Sequence, residues 1–192
     1  MALPTLFDER RTAQAAAFLL HRAGGTLPIL KLIKLLYLAE RHSFQRYGEP
    51  LTGDALVAMN NGPVLSATYD HIKGNLPSAQ QGWDTWVSSR NGNQVSLRDS
   101  DMIRSPEQDL LRLSDSDLEI LEETWTQFGH MSPWALVAYT HSDACPEWEH
   151  PHGTSRPITY ETLFPALGYS PEQVSVLMER IAEHRALNAV MN

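Results

Sequence analysis

Between Pro28 and Gly48, apolar residues take up almost the whole circumference of a predicted helix, through Leu30, Leu32, Ile33, Leu35, Leu36 and Ala39. Lys31, Lys34, Arg41 and Gln45 share the narrow polar stripe that remains, at spacings of three, seven and four, which are steps of the helical period. A helix apolar around so much of its surface belongs at the centre of a core. Leu38 breaks the pattern, because it sits inside the polar stripe with Tyr37 beside it. An apolar side chain ringed by lysines and an arginine has the makeup of an interface anchor with a charged rim. The plainer reading of the stripe is the wet side of the helix.

The same signals order the rest of the chain. Asp8 caps a first helix to about Arg22, which Gly24-Gly25 stops. Asp54 to Asn60 is too short to choose between strand and helix. Asn60-Asn61-Gly62 reads as a tight turn, and Pro63 is expected to open a helix reaching about Lys73. Asn91-Gly92, flanked by Trp83–Val87 and Gln94–Leu97, predicts a β-hairpin. After Ser114, Leu118, Leu121, Trp125 and Phe128 recur at helical spacing, and Gly129 ends that helix. Ser132-Pro133 opens another, through Tyr139. A loop follows from Asp143 to Pro157, then a short helix from Thr159 that Pro165 interrupts. Ser170-Pro171 opens the last helix, with Val174, Leu177, Met178 and Ile181 on one face. The expectation is a mainly α fold: one compact multi-helix domain over residues 1–192, with a small β-hairpin insertion at about 80–100.

Composition narrows the class. A chain of 192 residues, 42% hydrophobic and 20% charged, buries a sizeable core. The longest apolar run, Leu35 to Ala39, is far too short to span a bilayer. The start MALPTLFDERR lacks the pattern of a secretory signal. The lone Cys145 excludes an intramolecular disulfide and fits a reducing cytoplasm. A net charge of −8 without a basic run argues against nucleic-acid binding, which needs a positive footprint on phosphates. The acidity serves solubility or, on a sharper reading, steers a basic partner.

His141, Cys145, His150 and His152 fall in the segment THSDACPEWEHPH. Imidazole and thiolate are zinc ligands, which makes a metal-dependent hydrolase the alternative in which this chain is an enzyme. The spacing nevertheless matches no zinc framework, so no metal and no cofactor is expected, and histidines in a loop more often bond carbonyls and cap helices. A Cys-His nucleophile pair is disfavoured because Cys145 precedes Pro146 and Glu147 and lacks a basic neighbour. Glu122-Glu123 and Asp115/Asp117 read as a solvated helix face rather than a catalytic pair. Gly24-Gly25 and Gly62 lack the companions of a phosphate loop. Trp83 and Trp86 pack in a core more readily than they stack on bases.

One ordered set of residues adds to this. Lys31-Leu32-Ile33-Lys34-Leu35-Leu36-Tyr37-Leu38-Ala39 is followed by Gly48-x-Pro50-Leu51, Ala58 and Gly62-Pro63-Val64. Further on come Leu113-Ser114, Phe128-Gly129, Ser132, Leu136, Thr140-His141 and Cys145-Pro146-Glu147-Trp148. The set resembles the Panacea domain of SocA-like antitoxins, which are associated with phages and plasmids. Met59-Asn60 departs from it, since relatives often carry a bulkier or aromatic residue there. The resemblance implies a helical, non-enzymatic protein that neutralises a cognate toxin, encoded beside it, by direct binding. Relatives are paired with unrelated toxins, and one acts as a proteolytic adaptor delivering its toxin to a protease. The expected contacts are Lys31, Lys34, Tyr37, Leu38 and Arg41 for the toxin, with Asn61, Gly62, Pro63 and His141 as a structural motif. The segment from Pro77 to Pro106 is variable under this resemblance. The partner is thus a protein toxin, with no nucleic acid and no membrane.

Overall fold

The computed structural model describes residues 6–191, so the first five residues of the N-terminal stretch read above lie outside the described residues. Helix α1 (Glu9–Arg22) starts where Asp8 accepts a hydrogen bond from the Arg11 N–H at 3.0 Å, as an N-cap should. Strand β1 (Thr26–Pro28) leads into α2 (Ile29–Tyr47), which ends at Gly48 in the left-handed region, φ 67°. The Tyr169 hydroxyl donates to the carbonyls of Phe44 and Gln45, satisfying acceptors that a helix end leaves orphaned. Strands β2 (Leu56–Met59) and β3 (Gly62–Leu65) form an antiparallel pair that pairs Ala58 with Pro63.

Two expectations change here. Pro63 lies within β3, and α3 (Ser66–Lys73) begins three residues later. β3 is the edge of a three-stranded sheet, so the N–H that proline lacks has no ladder partner to deprive. The start of α3 is set by Asp54, whose carboxylate accepts from the Ala67 and Thr68 N–H groups and the Thr68 hydroxyl. The hairpin is also only part of what was expected. Trp83–Trp86 forms a turn of helix, α4, because Glu9 of α1 accepts from the Trp83 N–H at 2.8 Å and caps it. The chain does reverse around Asn91-Gly92, with bridges Val87↔Leu97 and Asn91↔Gln94. Yet β4 (Gln94–Ser96) takes β1 as its ladder partner.

The remaining elements follow their caps. After α5 (Pro106–Asp109), α6 (Asp115–Phe128) opens with a capping box between Ser114 and Asp117. Asp117 is buried and paired with Arg11 at 2.5 Å, so it joins α6 to α1 and is not part of the solvated face read above. Glu122 and Glu123 do sit at the surface, paired with Arg22 and Arg46. Helix α7 (Pro133–Thr140) starts at the Ser132 cap. The loop after it ends in β5 (Arg156–Pro157), which adds to the free edge of β2. Helices α8 (Tyr160–Ala166) and α9 (Pro171–Met191) close the chain, and Leu177 and Ile181 of α9 are buried against the rest. One apolar cluster runs from Ala13 to Ile181 with α2 through its middle. The fold is mainly α with small antiparallel strands.

Candidate functional site

Several of the residues that the sequence pattern singled out meet beneath the β2–β3 turn. Lys34 is wholly buried, and its ammonium donates to the Pro63 carbonyl at 2.7 Å. Gly62, in the turn above it, has φ +95°. A Cβ there would lie 2.7 Å from Thr140 Oγ1, 2.9 Å from Lys34 Nζ and 3.2 Å from His141 Nε2. Only glycine meets both demands, of backbone angle and of space. α2, β3 and α7 therefore touch around a missing side chain.

One turn further along α2, a second polar knot is held by Glu147. Its carboxylate accepts from the Tyr37 hydroxyl at 2.7 Å and from Arg41 Nε at 2.8 Å. Its side chain is 0% exposed and that of Arg41 is 13% exposed, so this is a nearly dry ion pair with its hydrogen bonds made. Such pairs hold a geometry more than they add stability, and removing one partner strands a buried charge. The next residue, Trp148, donates from its indole to the Met59 carbonyl at 3.1 Å, and His141 stacks on its ring at 3.8 Å between centroids. The loop after α7 is thus pinned to α2 by Glu147 and to β2 by Trp148.

Burial dominates the proton chemistry of this cluster. It lowers Lys34 to about 7 and raises the Cys145 thiol to about 12. Burial, then the neighbouring Glu147, pushes the Tyr37 phenol up. Burial and then Lys34 and His150 push His141 down. A thiol held in its neutral form is a poor nucleophile, which argues against a Cys-His pair at Cys145. Of the four loop residues considered for zinc, Cys145 is buried, His141 lies against Trp148, and His150 and His152 are exposed. Among the described residues, no three histidine, cysteine or acidic side chains gather as metal ligands.

The side chains of the expected docking stripe are mostly engaged within the fold. Lys34, Tyr37 and Leu38 are buried, Leu38 at 4% exposure, and Arg41 is engaged by Glu147. Lys31 is half-buried and donates to the Gly129 carbonyl at 2.6 Å, where it meets the end of α6. A polar stripe on a helical wheel looks solvated only while its partners on α6, β3 and the 145–148 loop are unseen. Of the motif residues, Gly62, Pro63 and His141 join the cluster, whereas Asn61 stands exposed at its rim.

Two acids went unnoticed as anchors. Glu40 is fully buried on α2, accepts from the Thr52 and Gly53 N–H groups at 2.6 and 3.0 Å, and is raised to about 7 by burial. Asp54 caps α3. An acid at the end of a run as apolar as Leu35–Ala39 was the legible signal for Glu40. Asp54 had none, because its helix begins twelve residues away.

No curated protein and no solved structure matches the chain. One protein family does, over residues 32–149, a span from α2 to Trp148 and just beyond that covers more than half the chain and every member of the cluster around Lys34 and Glu147. That family is described as antitoxin SocA-like, Panacea domain, and this chain belongs to it.

Proposed function

We propose that this protein neutralises a toxin encoded beside it by binding that toxin directly, without catalysing a reaction. Membership of the antitoxin family carries the reading, since it implies a toxin–antitoxin role and a protein toxin as partner. Two features of the fold support it. The polar residues brought together on α2 are spent on holding α7, the 145–148 loop and the β2–β3 turn in place. The one cysteine is held neutral and the one buried lysine is tied to the Pro63 carbonyl, both inside a packed core. No described helix is long and apolar enough to cross a membrane, in keeping with a partner met in the cytoplasm. On this reading residues 1–192 act as one antitoxin domain.

The test is rescue. Cells expressing the neighbouring gene product should stop growing and recover when this chain is co-expressed, and the two proteins should co-purify. The toxin's half-life separates sequestration from delivery to a protease: it stays constant or lengthens if the complex is the end point, and it shortens if this chain is an adaptor. Rescue with no complex and no change in toxin level would sink the binding reading.

A further inference from the structure

Beside the first turns of α2, at the rim of the packed cluster where Asn61 stands exposed, lies an open groove of about 500 Å³, within the usual range for a ligand pocket. Its floor is the first turns of α2, with Ile29, Leu30 and Ile33. Tyr69 of α3 and Trp134 of α7 also line it. Trp134 is 66% exposed, a large aromatic surface left in water on an otherwise well-packed element. Tryptophans in that position are the commonest anchors of protein interfaces.

The charges around the groove say what suits it. The protein carries a net charge of −8, yet the charged residues lining this groove are Lys73 and Arg90, both positive. Both are exposed, and neither has an ion-pair partner among the described residues, although Lys73 lies over the Tyr69 ring at 4.8 Å. Of the other exposed arginines, Arg22, Arg46, Arg156 and Arg180 have carboxylate partners, whereas Arg98, Arg104 and Arg112 are in no ion pair among the described residues. The exposed Asn61 and Asn93 at the rim offer amides to a peptide backbone.

We infer that this groove is the docking site for a segment of the partner toxin that carries an apolar or aromatic side chain next to a carboxylate. The apolar side chain packs on the Tyr69 and Trp134 rings, and the carboxylate meets Arg90 and Lys73. The positive rim selects that occupant over a basic segment, which the rest of this acidic surface would attract less selectively. The inference rests on the antitoxin reading, and it deepens that reading by placing the contact on the exposed first turns of α2 and not on the buried Lys34 and Leu38.

The experiment uses the full chain and the purified product of the adjacent gene, with affinity measured for wild type, Trp134→Ala, Arg90→Glu and the control Leu111→Ala. Leu111 is also exposed, at 78%, but lies outside the groove. The expected result is a loss of about 30-fold for Trp134→Ala and about tenfold for Arg90→Glu. Leu111→Ala should stay within about twofold, and all melting temperatures should be close to wild type. Wild-type binding accompanied by unchanged affinity in both groove variants overturns the groove and leaves the antitoxin reading standing. Absence of wild-type binding overturns both.

Discussion

Two parts of α2, its first turn and the stretch from Lys34 to Arg41, are built from neighbouring residues and do opposite things. Toward the β2–β3 turn, Lys34, Tyr37 and Leu38 are buried and their polar atoms engaged. Toward the groove, Ile29, Leu30 and the nearby Trp134 keep apolar surface in contact with water. A hydropathy pattern would assign the two parts the other way round, with the lysine stripe wet and the leucines inside. The lesson concerns the cost of burying charge. A lysine or arginine enters a core only where a carbonyl or carboxylate is already placed to receive it. A polar stripe whose partners come from distant segments therefore marks a structural seam, and an apolar residue left uncovered marks a place of contact.

The seam should break hardest at Glu147. Glu147→Ala leaves the nearly dry Arg41 guanidinium without its carboxylate and the Tyr37 hydroxyl without its acceptor, and should cost about 3–5 kcal/mol. Denaturant unfolding of that variant checks it. A loss below about 1 kcal/mol would mean that Arg41 behaves as a surface residue, and the contrast between the two parts would weaken.

Leu38→Ala and Gly62→Val come next. Deleting the Leu38 side chain leaves a void beside α2 and should lower stability by about 3 kcal/mol. Gly62→Val forces a branched residue to φ +95° and into Lys34 Nζ and Thr140 Oγ1, at a cost of about 3 kcal/mol. Thermal melts of both read the effect. Neutralisation should fail in Gly62→Val only at temperatures where the variant unfolds, because the turn supports the fold and not the contact.

Lys34 adds a dependence on pH. Its folded pKa of about 7 lies below its ordinary value of 10.5, so between those values the unfolded chain holds the extra proton and stability rises with pH. Glu40, raised to about 7 from 4.5 by burial, acts in the opposite sense below about pH 7 and then stops. Cys145, raised to about 12 from 9.0, opposes Lys34 only above its ordinary value. From about pH 7 to about pH 8.5 the rise belongs to Lys34, at about 1–2 kcal/mol. Lys34→Met should flatten it; an equally steep rise in that variant would assign it to another group.

Much of this fold was legible in local signals. Asp8, Ser114, Ser132 and Gly48 each mark a helix boundary by chemistry confined to one turn. What stayed hidden depended on residues far away in sequence. α4 is helical because Glu9, some seventy residues earlier, caps it, and β4 pairs with β1 instead of closing a longer hairpin. The site divides in the same way. Gly62, Pro63 and His141 were recognisable as a motif, and the structure gathers them around Lys34. The exposure of Lys34, Tyr37 and Leu38 was misjudged because a helical wheel carries no information about α7 or the loop holding Glu147.

The smallest effect on stability should come from the groove, and it sharpens the comparison most. Trp134 stands in solvent, so Trp134→Ala should change stability by less than about 0.5 kcal/mol, because little packing is lost and no polar atom is stranded. Its effect should appear in toxin binding alone. Leu38→Ala should show the reverse pairing, a large loss of stability with affinity kept wherever the variant remains folded. Measuring melting temperature and toxin affinity for these two variants gives four numbers that test one claim about a single helix. If Trp134→Ala melts well below wild type, the groove is part of the core and its open shape is not a site. If Leu38→Ala keeps its stability and loses the toxin, the seam is the interface after all, and the polar stripe on α2 must open to admit a partner.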